Sequence, residues 1–214
     1  MQRDAKIKAI DEWLPQTQCT QCTYPRCHDY AVAIADGKAD INQCPPGGDI
    51  TVRGLASLLG ELGKPVDPKY GVHKPKQLAV IDEDICIGCV MCIKACPTDA
   101  IVGAAKVMHT VIDRDCTGCE LCLEPCPVDC IEMVEQTQSP DVSWRWPDYS
   151  PEASDRARTQ TNAKIARESK RDDAKSSMKK LKDLRKEKGS EQIKSDIAAA
   201  IARVKARNEK TRNE

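Results

Sequence analysis

The 214-residue sequence contains no phenylalanine, only three tryptophans and four tyrosines. Its mean hydropathy is −0.53. It therefore lacks the aromatic volume that usually fills the core of a chain this long, and something else must hold it together. It has no run of about 18 apolar residues, so no membrane-spanning helix is expected. Residues 1–13 mix Arg3, Asp4, Lys6, Lys8, Asp11 and Glu12 with apolar side chains, which excludes an export-signal core. The GxGxxG fingerprint, a phosphate loop and a nucleophile–base arrangement are also missing, so neither substrate conversion nor dinucleotide binding is expected.

What the chain has in quantity is cysteine, thirteen residues, all before position 131. Small modules that bury little apolar surface rely on disulfides or metals. Without an export signal the expected location is the reducing cytoplasm, where clustered cysteines in odd number read as metal ligands. Charge divides the chain at about the same place. Residues 1–150 carry 14 Lys and Arg against 22 Asp and Glu, while residues 151–214 carry 19 against 11. The zero net charge thus hides an acidic, cysteine-bearing part and a basic tail.

Apolar spacing predicts a helix over Ala5–Leu14 ending at Pro15, a second over His28–Ala35 closed by Gly37, and a third over Thr51–Leu62 ended by Gly63-Lys64-Pro65. Pro65, Pro68 and Pro75 make residues 64–77 a linker. An internal repeat follows. Cys86, Cys89, Cys92, Cys96 and Pro97 recur thirty residues on as Cys116, Cys119, Cys122, Cys126 and Pro127, with Gly88 matched by Gly118. Candidate strands, Leu78–Ile81 and Val111–Ile112, precede the two copies. Beyond Ser150 the composition is that of a charged helix or a disordered segment, with a weak stripe at Ile193, Ile197, Ile201 and Val204.

Three cysteines at two-residue gaps wrap three corners of a four-iron cluster, and the fourth, followed by Pro, reaches the cluster of the other copy. The assignment is then Cys86, Cys89, Cys92 and Cys126 for one cluster and Cys96, Cys116, Cys119 and Cys122 for the other. Gly88 and Gly118 fall where a side chain is expected to crowd the inorganic core. Zinc sites pair CxxC units across longer gaps, which disfavours them for the repeat. The N-terminal set, Cys19, Cys22, Cys27 and Cys44, is less specific, since four soft thiolates at that spacing suit zinc or a cubane.

The repeat resembles the bacterial 2x4Fe-4S ferredoxin family over about residues 78–135. That resemblance implies an α+β fold with pseudo-two-fold symmetry and two short antiparallel hairpins. The N-terminal set is similar to the four-cysteine cluster domain of the B subunit of the Rnf/Rsx ion-translocating electron transport complex and of some corrinoid iron–sulfur proteins. The likeness to the B subunit continues through Cys44-Pro45-Pro46-Gly47-Gly48, Ala100–Ala105, Met108–Val111, Cys126–Ile131 and Trp144-Arg145-Trp146, covering about residues 5–147. It implies three 4Fe-4S clusters, electron transfer, and redox partners that include membrane subunits. Two departures stand out. The family's B subunit usually begins with a hydrophobic anchor that residues 1–13 do not show, and its glycine-rich first module is replaced here by Thr20, Thr23 and Arg26.

Cys130 aligns with Ala100 and reads as a small buried side chain. His28, His73 and His109 read as structural or surface residues. Asp82, Glu83, Asp84, Asp113, Asp115, Glu120 and Glu124 form a solvated surface or a docking face for a basic redox partner. The tail has no interleaved aromatics, so nucleic acid is not an expected partner.

The expected protein has four parts: an N-terminal four-cysteine module (1–63), a Pro-rich linker (64–77), a 2x4Fe-4S ferredoxin domain (78–140), and a linker with a charged helical or disordered tail (141–214). It is a cytoplasmic electron carrier, peripheral on the inner membrane where partners hold it there. The alternatives are a free soluble carrier serving other reductases and, more weakly, a structural or regulatory zinc protein.

Overall fold

In the computed structural model, residues 2–136, 145, 146 and 148–212 are described, without the side chains of residues 185–191, 193 and 206–212. One compact unit runs from Met1 to Lys164 and a second from Ile165 to Glu214. The elements in order are α1 (Arg3–Asp11), α2 (Cys27–Ala35), α3 (Gly48–Leu59), β1 (Gln77–Ile81), α4 (Met91–Ala95), β2 (Ile101–Val102), β3 (Thr110–Val111), β4 (Ile131–Glu135) and α5 (Pro151–Arg212).

The N-terminal module is a three-helix core. Ile7, Ile10 and Leu14 pack with Tyr30, Ala31 and Ile34 of α2 and Val52 and Leu55 of α3. α1 ends at Asp11, three residues short of the expected stop, because Trp13 and Leu14 tighten into turns on the carbonyls of Ile10 and Asp11. α3 begins three residues early and stops at Gly60, whose φ of +70° closes the helix before Gly63-Lys64-Pro65 is reached. The Pro-rich stretch is strapped to this module: Asp67 donates its N–H to the Asn42 carbonyl, Asn42 Nδ2 donates to Pro65 O, and His73 Nδ1 lies 3.1 Å from Pro45 O.

The ferredoxin part has two two-stranded antiparallel sheets, β1 with β4 and β2 with β3. Only β2–β3 is a local hairpin. β1 pairs with β4 from Gln77↔Glu135 to Ile81↔Ile131, so the strand before the first copy meets the strand after the second. Each sheet takes one strand from each copy, and that exchange ties the copies into one core of Ala79, Ile81, Ala100, Ile101, Ile131 and the buried cysteines.

The first fourteen residues of α5 belong to the compact unit. Arg158 bonds Asp11 at 2.8 Å, and Lys164 Nζ donates to the carbonyls of Ile93 (3.3 Å), Lys94 (2.8 Å) and Cys96. In the second unit α5 continues as a charged helix on which Ile197, Ile201 and Val204 are exposed, while the side chain of Ile193 lies outside the described residues. No helix among the described residues is long and apolar enough to cross a membrane.

Candidate metal centres

Cys19, Cys22, Cys27 and Cys44 line one cavity. The loop that brings them there alternates its backbone sense, with φ of +60° at Gln16, +56° at Gln18, +61° at Thr20 and +69° at Thr23. β-branched residues rarely adopt this conformation, so Thr20 and Thr23 are held in it by their surroundings. One restraint is a buried chain of amides: Gln16 Nε2 donates to Asp11 O, Gln18 Nε2 to Gln16 Oε1, and the Cys27 N–H to Gln18 Oε1. Below the cavity Tyr30 is buried, and its hydroxyl donates to Asp40 O (2.6 Å) and accepts from the Gln43 N–H.

Burial pushes the Cys22 thiol up to about 11 and drives Cys27 and Cys44 well above the ordinary thiol range, with neighbouring cysteines adding to it. Thiols at this depth cannot ionise together without a nearby cation. A four-iron cluster supplies that positive charge, and a metal-bound thiol is deprotonated outright. The all-sulfur donor set, lining one cavity, therefore fits the 4Fe-4S cluster that the resemblance implies.

In the repeat, burial raises Cys119 and Cys122 to about 12, and the cysteines that add to the effect are Cys96 and Cys116 for the first and Cys119, Cys116 and Cys96 for the second. Cys96 thus faces the second copy. Cys92 is raised by burial and by Cys89 and Cys86 of its own copy. On that side lies Cys126, whose Sγ is 3.6 Å from Cys130 Sγ. Burial works to raise the Cys126 thiol, but the N–H groups of Val128, Cys130 and Asp129 and the Cys130 thiol together pull it below its usual value. The Cys130 thiol, pushed up to about 12 by burial and then by its bond to Cys126, also faces Cys86. Among the described residues no three His, Cys, Asp or Glu side chains converge as a single-ion site.

Gly88 and Gly118 are needed where other stretches of backbone approach the cysteine loops. A Cβ at Gly88 (φ +67°) would lie 2.5 Å from the Val107 nitrogen, and one at Gly118 (φ +70°) 2.4 Å from the Gln77 carbonyl oxygen. Both glycines are required by approaching backbone.

Four residues gain roles that the spacing did not indicate. Cys130 bonds to Cys126, whereas its counterpart Ala100 offers its N–H to Cys96 Sγ at 3.2 Å. His109 is buried, with Nδ1 3.3 Å from Cys92 Sγ and Nε2 without a hydrogen-bond partner. Tyr149 is buried, and that burial, with Cys19, Asp148, Cys44 and Cys119 adding to it, raises its hydroxyl pKa. Lys76 sits 5.7 Å from the Tyr149 ring centroid, and its pKa is lowered by burial although Cys116 and Asp148 oppose the shift. Long-range contacts of this kind leave no periodic signal. Trp144 of the quoted Trp144-Arg145-Trp146 segment lies outside the described residues, while Trp146 is buried and donates Nε1–H to Thr51 Oγ1.

Comparison with known proteins gives two family matches, a "4Fe-4S dicluster domain" over residues 79–133 and a "Putative Fe-S cluster" domain over residues 14–46. Curated relatives, each named as the B subunit of an ion-translocating oxidoreductase complex, align over most of both chains. The protein from Azoarcus sp. is 62% identical over 143 residues, covering 67% of this chain and 78% of its own. That from Hahella chejuensis is 57% identical over 148 residues (69% and 74%), and that from Pseudomonas paraeruginosa 56% over 161 residues (74% and 83%).

Proposed function

The chain belongs to the family of B subunits of the ion-translocating oxidoreductase complex, and on that footing we propose that it carries electrons along three 4Fe-4S clusters in a row. Iron–sulfur electron transfer itself follows from the family and its 4Fe-4S domain; the number, ligands and order of the clusters are our reading. The ligand sets are Cys19, Cys22, Cys27 and Cys44; Cys96, Cys116, Cys119 and Cys122; and Cys86, Cys89, Cys92 and Cys126. The functional division is a cluster module at 1–63, a connecting segment at 64–77, the ferredoxin domain at 78–140, and the remainder at 141–214. Its partners are redox proteins, among them other members of such a complex at the cytoplasmic face of the inner membrane.

The observation that carries the order is the buried Tyr149, which lines one cavity with Pro46, Gly47 and Gly48, just after Cys44, and another with Cys116 and Thr117. Thr117 adds a second tie, donating to Thr17 O at 2.8 Å. The second copy's centre is thus the middle of the row and the first copy's centre its far end. When bound, each cluster supplies a site that accepts and returns one electron. The protein's own groups orient the thiolates and set the local field. Backbone N–H donors to Cys96 and Cys126 and the Lys76 cation near Cys116 favour the more negative state.

Anaerobically purified protein is expected to be brown, with a broad band near about 400 nm that dithionite bleaches, and to contain about twelve iron and twelve acid-labile sulfide per chain. Colourless protein with stoichiometric zinc would end this reading, and about eight iron would remove the N-terminal cluster from it. Recovery solely in the soluble fraction, under gentle lysis of cells that contain the membrane subunits, would favour the free carrier.

A further inference from the structure

Ile85 (50% exposed), Ile87 (58%), Met91 (42%), Val107 (54%) and Met108 (53%) are large apolar residues left open to solvent. They form one patch, because the 85–91 and 106–108 segments run side by side. The Lys106 N–H donates to the Gly88 carbonyl at 2.9 Å, and Gly88 is pressed against Val107. Ile85 and Ile87 flank Cys86, and the residue after Met108 is His109, against Cys92 Sγ.

The repeat supplies an internal control. Thirty residues on, Ile85 corresponds to Asp115 and Ile87 to Thr117, and both are buried beneath the chain's own elements. Asp115 lies 3.6 Å from Arg156 of α5, and Thr117 bonds to Thr17. The usual polarity is inverted: the covered loop is polar and the bare loop apolar. Solvent exposure alone would favour the opposite arrangement, so the bare loop is built to be covered by something outside the chain. Three consecutive exposed carboxylates, Asp82, Glu83 and Asp84, border the patch, with the cations Lys94 and Lys106 interspersed.

We propose that this patch is the docking face for a one-electron carrier protein whose own cofactor lies beneath an apolar surface bordered by lysine or arginine. The proposal rests on the cluster assignment above, because it makes Cys86, Cys89 and Cys92 the terminal ligands facing the partner. One electron crosses. The donor side is oxidised by one and the acceptor reduced by one, with no bond made or proton moved. The apolar centre excludes water and brings the cofactors close, while the acidic border speeds encounter with a basic face.

The test uses the full-length, cluster-loaded protein, photoreduced, with mammalian cytochrome c as the probe: a basic haem protein with an exposed haem edge. Stopped-flow second-order rate constants are measured for wild type, for Ile87→Asp with Val107→Asp, for the milder Ile87→Ser, and for Asp82→Asn/Glu83→Gln/Asp84→Asn. We expect the double variant to be slower by about tenfold and Ile87→Ser to fall between it and wild type, with the neutralised triple variant slower and less sensitive to salt. Leu62→Asp, at a 90% exposed position of the N-terminal module, is expected to match wild type. Wild-type rates in the patch variants with full iron content would overturn the proposal. So would a wild-type dimer in sedimentation that Ile87→Asp dissolves, since the patch would then join two copies of this chain. Wild-type protein without iron and sulfide would instead overturn the cluster reading beneath it.

Discussion

At Gly88, Val90 and Asp99 the backbone turns left-handed, with φ of +67°, +61° and +52°, and thirty residues later, at Gly118, Glu120 and Asp129, it does so again at +70°, +63° and +49°. The two copies therefore trace one path, and Val90 and Glu120 accept an unfavourable conformation so that the next cysteine points inward. Their surroundings differ. The first copy has a helix, α4, whose terminal carbonyls receive Lys164, and a histidine on Cys92. The second copy makes only turns over residues 121–125 and is packed against Thr17, Tyr149 and Arg156. Ligand spacing dictates the path of the chain, and non-local packing decides how wet, how charged and how reachable each centre is. That separation allows two identical ligand patterns to serve as different stations on one electron route.

The largest test of the comparison is exchange of the remote cysteines. In Cys96→Ala we expect loss of the second copy's centre, about four iron per chain. Cys116, Cys119 and Cys122 should then be alkylated by iodoacetamide while Cys86, Cys89 and Cys92 stay protected, and Cys126→Ala should give the reverse pattern in mass spectrometry. If each variant exposes the cysteines of its own copy, the crossed assignment is wrong.

Next come the paired glycines. Ala at either position adds about 1–2 kcal/mol of left-handed strain plus a clash with backbone. Gly118→Ala should cost more than Gly88→Ala, because Gln77 is fixed in a five-residue pairing with β4 whereas residues 106 and 107 lie in a loop. The temperature at which the 400 nm band is lost reads the difference, and equal losses would remove this distinction between the copies.

Lys164→Met should destabilise α4 by about 1–3 kcal/mol, since three carbonyls lose a charged donor. Faster amide exchange confined to the first copy is the expected signature, and a change spread over both copies would contradict it.

The smallest effect is electronic. Nδ1–H of His109 is placed to donate to the Cys92 thiolate. Removing a bond worth about 1 kcal/mol shifts a one-electron potential by about 40 mV. A redox titration of His109→Leu should show one centre lower by about that amount and the others unmoved.

The proposed cysteine ligands were legible because a cluster imposes short, fixed spacings on the chain, and the repeat was legible because the same spacing occurs twice. Helices α1 to α3 were visible from their apolar faces, with the ends of α1 and α3 displaced by three residues where turns at Trp13 and Gly60 took over. The β1–β4 pairing was not legible because its partners lie 50 to 58 residues apart, and the β2–β3 hairpin was not because two-residue strands carry no alternation. His109 and Cys130 looked ordinary in sequence, as buried polar side chains do until the sulfur beside them is located.

By itself the sequence determined which thiols stand at short, repeated spacings, and with them the grouping proposed above, since local spacing is enough to specify how a short loop wraps a cluster. Only the tertiary structure decided which cysteine loop packs near which, because Tyr149, Thr17 and Arg156 reach their positions through contacts between segments remote in the chain. The same contacts bury the polar loop at Asp115 and Thr117 and leave the apolar loop at Ile85 and Ile87 bare, and burial is a property of what packs against a residue, not of the residue itself.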